Sequence, residues 1–265
     1  MIIKQFTKEY AKEAQALAWA NYEEERVYVP VLPADAQMPP AESMLENDLG
    51  VVALEYDKVV GFIASYGPWE GMLDTYDELG MFSPVHCHGA VKENRRRIYQ
   101  DMYEYLGSVL YKKNILGLGI ALYAHDTEAK EAFFEYGFGM RCKDQIRLIS
   151  EEMPIRNNDM IAEGILSFEE LELKDFPLLT GYRDMLKDHL KEAPCFMQVS
   201  TEDHVKFISR VLKGDRRTFV AKIDGEIAAF IDIADSAETF VTYHPKMINI
   251  QGAYCDPKYR GQGIY

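Results

Sequence analysis

A chain of 265 residues has the length of one large domain or two small ones, and its 48% apolar content is enough to build real cores. Its 29 Lys and Arg against 43 Asp and Glu leave a formal charge of −14. The basic run Arg95-Arg96-Arg97 falls short of the clustered cations that duplex binding draws on, which argues against nucleic acid as a partner.

No stretch approaches the roughly 18 apolar residues that a membrane span needs. The start, Met1-Ile2-Ile3-Lys4-Gln5, lacks a charged segment followed by an apolar one, as a signal peptide would have. Cys87, Cys142, Cys195 and Cys255 are widely spaced and form no CxxC. The expectation is a cytoplasmic protein with free thiols and no membrane association.

In chain order, Ile2 to Phe6 predicts a strand, followed by a helix with Thr7 as its N-cap and Ala14, Leu17 and Ala18 on the apolar side. Four prolines in residues 28–40 predict an ordered loop. Val51 to Ala64 predicts a hairpin turned at Asp57-Lys58, and Ser83 to Val91 a further strand. Arg96 to Lys113 has helical spacing, with basic residues at its C-terminal end. Leu116 to Ala124 predicts a strand, Thr127 to Tyr136 a helix closed by Gly137, and Cys142 to Ile149 another strand. Residues 151–164 are polar and carry Pro154 and Asn157-Asn158, so they divide a domain over 1–150 from a second over 165–265. That second part predicts a strand over Ile165–Leu173 and helices over Phe176–Leu190 and Thr201–Lys213. A hairpin over Thr218–Ile233, turned by Asp224-Gly225, and a strand over Met247–Cys255 complete it.

The two halves repeat one another. Val59-Val60-Gly61-Phe62-Ile63 matches Ile227-Ala228-Ala229-Phe230-Ile231, and Asn94-Arg95-Arg96-Arg97-Ile98-Tyr99 falls opposite Arg260-Gly261-Gln262-Gly263-Ile264-Tyr265. The offsets, 168 and 166 residues, point to a tandem duplication.

The chemistry-bearing motif follows the last strand: Asp256-Pro257-Lys258-Tyr259-Arg260-Gly261-Gln262-Gly263-Ile264. Pro257 ends the strand, because it cannot donate to a ladder. Glycines let successive backbone N–H groups turn inward with no side chain in the way. Unpaired N–H groups at the start of a helix would make an anion site suited to a pyrophosphate.

With its preceding strand, Asp-Gly hairpin and two helices, this motif resembles the GNAT (Gcn5-related N-acetyltransferase) superfamily. The resemblance rests on Arg260-Gly261-Gln262-Gly263-Ile264-Tyr265 against that family's Arg/Gln-x-x-Gly-x-Gly/Ala, with Tyr265 standing in the glycine or alanine position. It implies tandem α/β domains, each a mainly antiparallel mixed sheet flanked by helices. It also implies that the backbone amides of Gly261 to Tyr265 hold the pyrophosphate of acetyl-CoA as co-substrate, with no metal. Ala253, Tyr254 and Cys255 would line the pantetheine, and a strand bulge would present an N–H to the thioester carbonyl.

The first half resembles the same family through Asp126-Thr127-Glu128-Ala129-Lys130-Glu131-Ala132-Phe133-Phe134-Glu135-Tyr136-Gly137-Phe138. Asn94 and Arg97 replace the leading arginine and a glycine of the phosphate motif, though three arginines could grip phosphate by charge. Phe133 stands for the tyrosine that protonates the leaving thiolate, so this copy reads as degenerate. By comparison with residues 99–149, about 50 residues of the second copy fall beyond Tyr265, which implies a second domain cut short and a chain weak in catalysis.

Asp232, His244 and Tyr254 are the candidate bases by polarity and position. His86-Cys87-His88 places two imidazoles on one face of a strand, without a third ligand for a metal. Gly117-Leu118-Gly119 reads as a strand bend, and Tyr99, Tyr103, Tyr105 and Tyr111 as helix packing. The expected function is acetyl transfer from acetyl-CoA to a primary amine, with the acidic balance tilting toward a cationic acceptor. The alternative is a non-catalytic acyl-CoA-binding or regulatory module.

Overall fold

The computed structural model describes residues 1–72, 78–150, 156–194, 216–235 and 244–264. The chain divides into two compact units, Met1–Leu148 with Glu238–His244, and Ile149–Ala237 with Pro245–Tyr265. The helix expected over Thr201–Lys213, the thiol of Cys195 and the final Tyr265 lie outside the described residues. Cys87 and Cys255 are free thiols.

In the first unit, β1 (Ile2–Gln5), β2 (Val51–Glu55), β3 (Lys58–Ile63) and β6 (His88–Ala90) form an antiparallel sheet in the order β1-β2-β3-β6. A second sheet runs β4 (Tyr66–Glu70), β5 (Leu79–Ser83), β7 (Ile115–Ile120), with β5 and β7 parallel. Val51 to Leu54 is apolar at every position because both faces of its sheet are covered. Val52 and Leu54 pack with Ala11, Ala14 and Ala18 of α1 (Ala11–Tyr28), while Val51 and Ala53 pack with Ile98, Tyr99 and Met102 of α2 (Arg95–Lys112). Ala129, Ala132 and Phe133 of α3 (Thr127–Glu135) complete the second layer.

Several sequence expectations need correction here. Thr7 does not cap α1. It precedes a single 3-10 turn over Lys8–Tyr10, and its hydroxyl donates to Glu9. Ser83–Val91 is two strands, because Pro84 cannot donate and its carbonyl accepts from Cys87 N–H in a tight turn. Cys142–Ile149 forms no strand: apolar alternation alone supplies no ladder bonds, and Leu148 and Ile149 stay exposed.

The second unit is one antiparallel sheet, β11-β10-β9-β8, built from β8 (Leu166–Glu170), β9 (Arg217–Ile223), β10 (Glu226–Ala234) and β11 (Asn249–Cys255). Phe176, Leu179, Val220, Phe230 and Tyr254 pack on one face with Tyr182 and Leu186 of α5 (Thr180–Lys191). Ala221, Ala229 and Ile264 lie on the other with Met160 of α4 (Asn158–Ala162), a short helix inside the stretch read as a connector. The helix expected over Phe176–Leu190 is a 3-10 segment, Leu173–Leu179, that holds Pro177 and runs into α5.

The two hairpins agree residue by residue. Tyr56 and Asp57 turn the first with positive φ of 50° and 62°, one residue earlier than the sequence suggests, and Asp224 and Gly225 turn the second with 50° and 83°. Both are the mirror-image turns whose twist matches that of the flanking strands. Each hairpin then carries one extra residue in its second strand, Val60 in β3 and Ala228 in β10. Turn and bulge repeat at the same offset of 168 residues as the sequence match.

Candidate active site

The site is built outward from β11. Asp232 pairs with Gly252 and Ile233 with Ile250, so Gln251 is an extra residue bulged from β11. Beyond the bulge, Asp256 N–H donates to Ala228 O. In an antiparallel ladder this register turns the peptide groups of Tyr254 and Asp256 toward β10 and those of Ala253 and Cys255 to the open side. Among the described residues, β11 has β10 as its one sheet neighbour. The side chains alternate accordingly: Tyr254 is buried on the α5 face, and Cys255 sits half-buried beside Ile264. Burial pushes the Cys255 thiol up, away from the thiolate form that a nucleophile needs. Of the three residues expected to line a pantetheine, Ala253 and Cys255 thus share the open edge, and Tyr254 turns inward.

The glycine turn follows directly. The Asp256 carboxylate accepts from Lys258 N–H and starts a 3-10 turn over Pro257–Tyr259. Arg260 folds back, its Nε donating to Cys255 O at 2.9 Å and its guanidinium lying over the Tyr254 ring. Gly261 and Gly263 hold φ of +78° and +71°, a region that costs an L side chain strain. At Gly263 a Cβ would also meet Arg156 Cδ at 3.4 Å and Asn157 Nδ2 at 3.5 Å. Gln262 Nε2 donates to Lys258 O, and Ile264 buries its side chain against Ala221 and Ala229. Among the described residues, the N–H groups of Gly261, Gln262, Gly263 and Ile264 donate to no protein acceptor. Asn157, left in a connector by the sequence reading, donates from Nδ2 to Gln262 O at 2.8 Å and Gly263 O at 3.1 Å.

The three candidate bases divide between the two units, Asp232 and Tyr254 in the second and His244 in the first. Asp232 is buried, paired with Arg183 of α5 at 2.9 Å and accepting from Thr218 Oγ1 at 2.6 Å. Arg183 in turn lies over the Phe230 ring. That geometry makes Asp232 the anchor of an ion pair and not a free base. His244 groups with the first unit, where its Nε2 stands 3.2 Å from Asp35.

The first unit, at its corresponding place, is filled by its own side chains. β5 runs parallel to β7, and β6 leaves it to pair with β3. His88 then reaches from β6 to Ala121 O at 2.6 Å, while its Nδ1 meets Tyr99 OH at 2.9 Å. A carbonyl only accepts, so Nε2 carries the proton and Nδ1 receives that of Tyr99. At the start of α2, Arg95 is buried and pairs with Glu24 and Asp126. Burial raises Glu24, but hydrogen bonding and charge from Arg95 outweigh it and hold the carboxyl below its usual range. His125 bonds both Glu24 and Glu25 and stacks on Tyr28. Arg96 pairs with Glu131 and Glu135, and Arg97 with Asp101. Arg95 is committed to buried carboxylates, while Arg96 and Arg97 form their pairs at the surface.

His86 and His88 form no metal pair, because His88 uses both ring nitrogens and His86 Nε2 meets Tyr66 OH at 3.0 Å. Among the described residues, no group of His, Cys, Asp or Glu is arranged to hold a metal ion, and no helix is long and apolar enough to cross a membrane.

Residues 182–264 match the acetyltransferase (GNAT) family. No curated protein matches this chain. Solved structures similar to it include a ribosomal-protein-alanine N-acetyltransferase from Brucella melitensis, 13% identical, with a TM-score of 0.40 over 56% of this chain and 100% of that one. Another is a "predicted acetyltransferase with acetyl-CoA" from Clostridium acetobutylicum, at 12%, 0.40, 56% and 95%. A third is an aminoglycoside acetyltransferase from an uncultured soil metagenomic sample, at 17%, 0.36, 58% and 97%. That family match spans 83 of the 265 residues, from within α5 to the glycine turn.

Proposed function

We propose that the second unit binds acetyl-CoA at the glycine turn and transfers its acetyl group to a primary amine, and that the first unit is a degenerate tandem copy with a structural role. The observation that carries this reading is the run of four amides, Gly261 to Ile264, without a protein acceptor among the described residues. Successive free N–H groups on a glycine turn favour a bound anion, and the pyrophosphate of a coenzyme is the anion that the family match points to.

The chemistry follows from the strand beside the turn. The unprotonated amine attacks the thioester carbonyl carbon, the C–N bond forms and the C–S bond breaks. The amine proton leaves to a base, and the thiolate takes up a proton. Ala253, on the open edge next to the bulge, offers its N–H to the oxygen on which charge develops. Asp232 holds Arg183, and through it α5, against β10. An overall charge of −14 favours a cationic acceptor, such as a polyamine or an aminoglycoside.

Isothermal titration of acetyl-CoA into the 265-residue chain tests the reading, together with thiol release on a panel of amines. Binding is expected, and Gly263→Val is expected to abolish it while the protein stays folded. Absence of binding to the wild-type chain overturns the proposal. Binding without turnover on any amine would instead favour an acyl-CoA-binding module.

A further inference from the structure

Resting on the acetyl-CoA reading above, we propose that Asn157, in the segment before β8 and outside the family-matched stretch, is the positioning residue that presents the glycine-turn amides to the coenzyme's pyrophosphate. The argument is one of peptide geometry. Asn157 Nδ2 donates to two consecutive carbonyls, Gln262 O and Gly263 O. In a trans peptide the N–H lies opposite the C=O of the same plane. Drawing both carbonyls to Asn157 therefore turns the N–H groups of Gly263 and Ile264 to the far side, where they have no protein acceptor among the described residues.

Asn157 is itself held for this task. Its φ is +60°, a left-handed conformation that asparagine tolerates better than most residues, and it leads directly into α4. Met160 of α4 packs against Ile264, so the same short element fixes the donor and the end of the turn it grips. A side chain at Gly263 would be strained by its φ of +71°, which gives that glycine a reason independent of any ligand.

Two substitutions keep the left-handed backbone and remove the donor: Asn157→Gly deletes both hydrogen bonds, and Asn157→Asp sets a carboxylate against two carbonyls. Titration of CoA into the full chain is expected to show affinity about tenfold weaker for Asn157→Gly, from two lost hydrogen bonds, and weaker still for Asn157→Asp. Amide NMR supplies a readout that a merely structural role would not move. In the wild type the Gly263 and Ile264 signals shift on adding CoA, and in the variants these shifts shrink while the rest of the spectrum is kept. If one variant does not fold, the other decides. Wild-type affinity in a folded variant overturns the role of Asn157 and leaves the coenzyme reading standing. A wild-type chain that binds no CoA overturns both.

Discussion

At the scale of single residues, His86 and Asn21 carry consequences that composition hides. His86 is buried, its Nδ1 without a hydrogen-bond partner among the described residues, and burial, with a smaller push from neighbouring His88, lowers its pKa to about 3 from an ordinary 6.5. Burial likewise drives the neighbouring Cys87 thiol up, so the two are a neutral pair and not a thiolate–imidazolium couple. Below pH 6.5 the unfolded chain takes up a proton that the native state refuses. Stability should therefore fall as pH drops from 6.5 toward 3, by about 1.4 kcal/mol per pH unit from this group. Urea midpoints measured across that range should show a shallower slope for His86→Gln than for wild type. Asn21 of α1 bonds both the N–H and the C=O of Ala90, each at 3.1 Å, and so acts as a strand partner for β6. Asn21→Leu leaves two buried backbone groups unpaired and should cost about 3 kcal/mol in the same assay.

At the scale of elements, close approach decides what each position accepts. A Cβ on Gly61 would stand 2.5 Å from Ile98 Cγ2 and 3.0 Å from Met102 Cε, so β3 meets α2 with no room for a methyl group. Gly61→Ala should destabilise the protein by about 2 kcal/mol, visible as a lowered urea midpoint, although its counterpart in β10 is Ala229. Ala253→Pro removes one N–H on the open side of β11, where proline does no harm to the ladder. Turnover in the thiol-release assay should fall about 100-fold if that N–H serves the developing oxyanion.

The hairpins, α2, α3 and the strand leading to the glycine turn were all legible, because each is written in local periodicity or turn chemistry. The split between β5 and β6 was not, since Pro84 acts through which neighbour each half finds. Nor were the ion pairs of Arg95, which join residues far apart in the chain. The glycine turn announced itself by composition. Asn157, its partner from the other end of the unit, has no signal beyond an Asn-Asn pair ahead of a short apolar stretch.

At the scale of the molecule, two compact units with one turn and one bulge repeated 168 residues apart suggest that a single binding function sits on one of two copies. Calorimetry can separate them. A ligand that binds the native state of one unit raises the stability of that unit alone, by about 2.7 kcal/mol at a hundred times its Kd. Saturating CoA should accordingly move one part of the unfolding profile upward and leave the other where it was. A uniform shift would mean that the units unfold as one.

The buried cluster of Arg95, Glu24 and Asp126 has an evolutionary consequence. Removing Arg95 leaves Glu24 and Asp126 without the buried guanidinium they share, and the loss is about 3 kcal/mol or more. For a ligand site to form there, Arg95 and its carboxylate partners would have to change together, since losing the guanidinium alone is heavily penalised. The cluster works as a ratchet: selection for stability alone keeps this place closed, and new activity is more easily gained at the glycine turn, whose amides have no protein acceptor among the described residues.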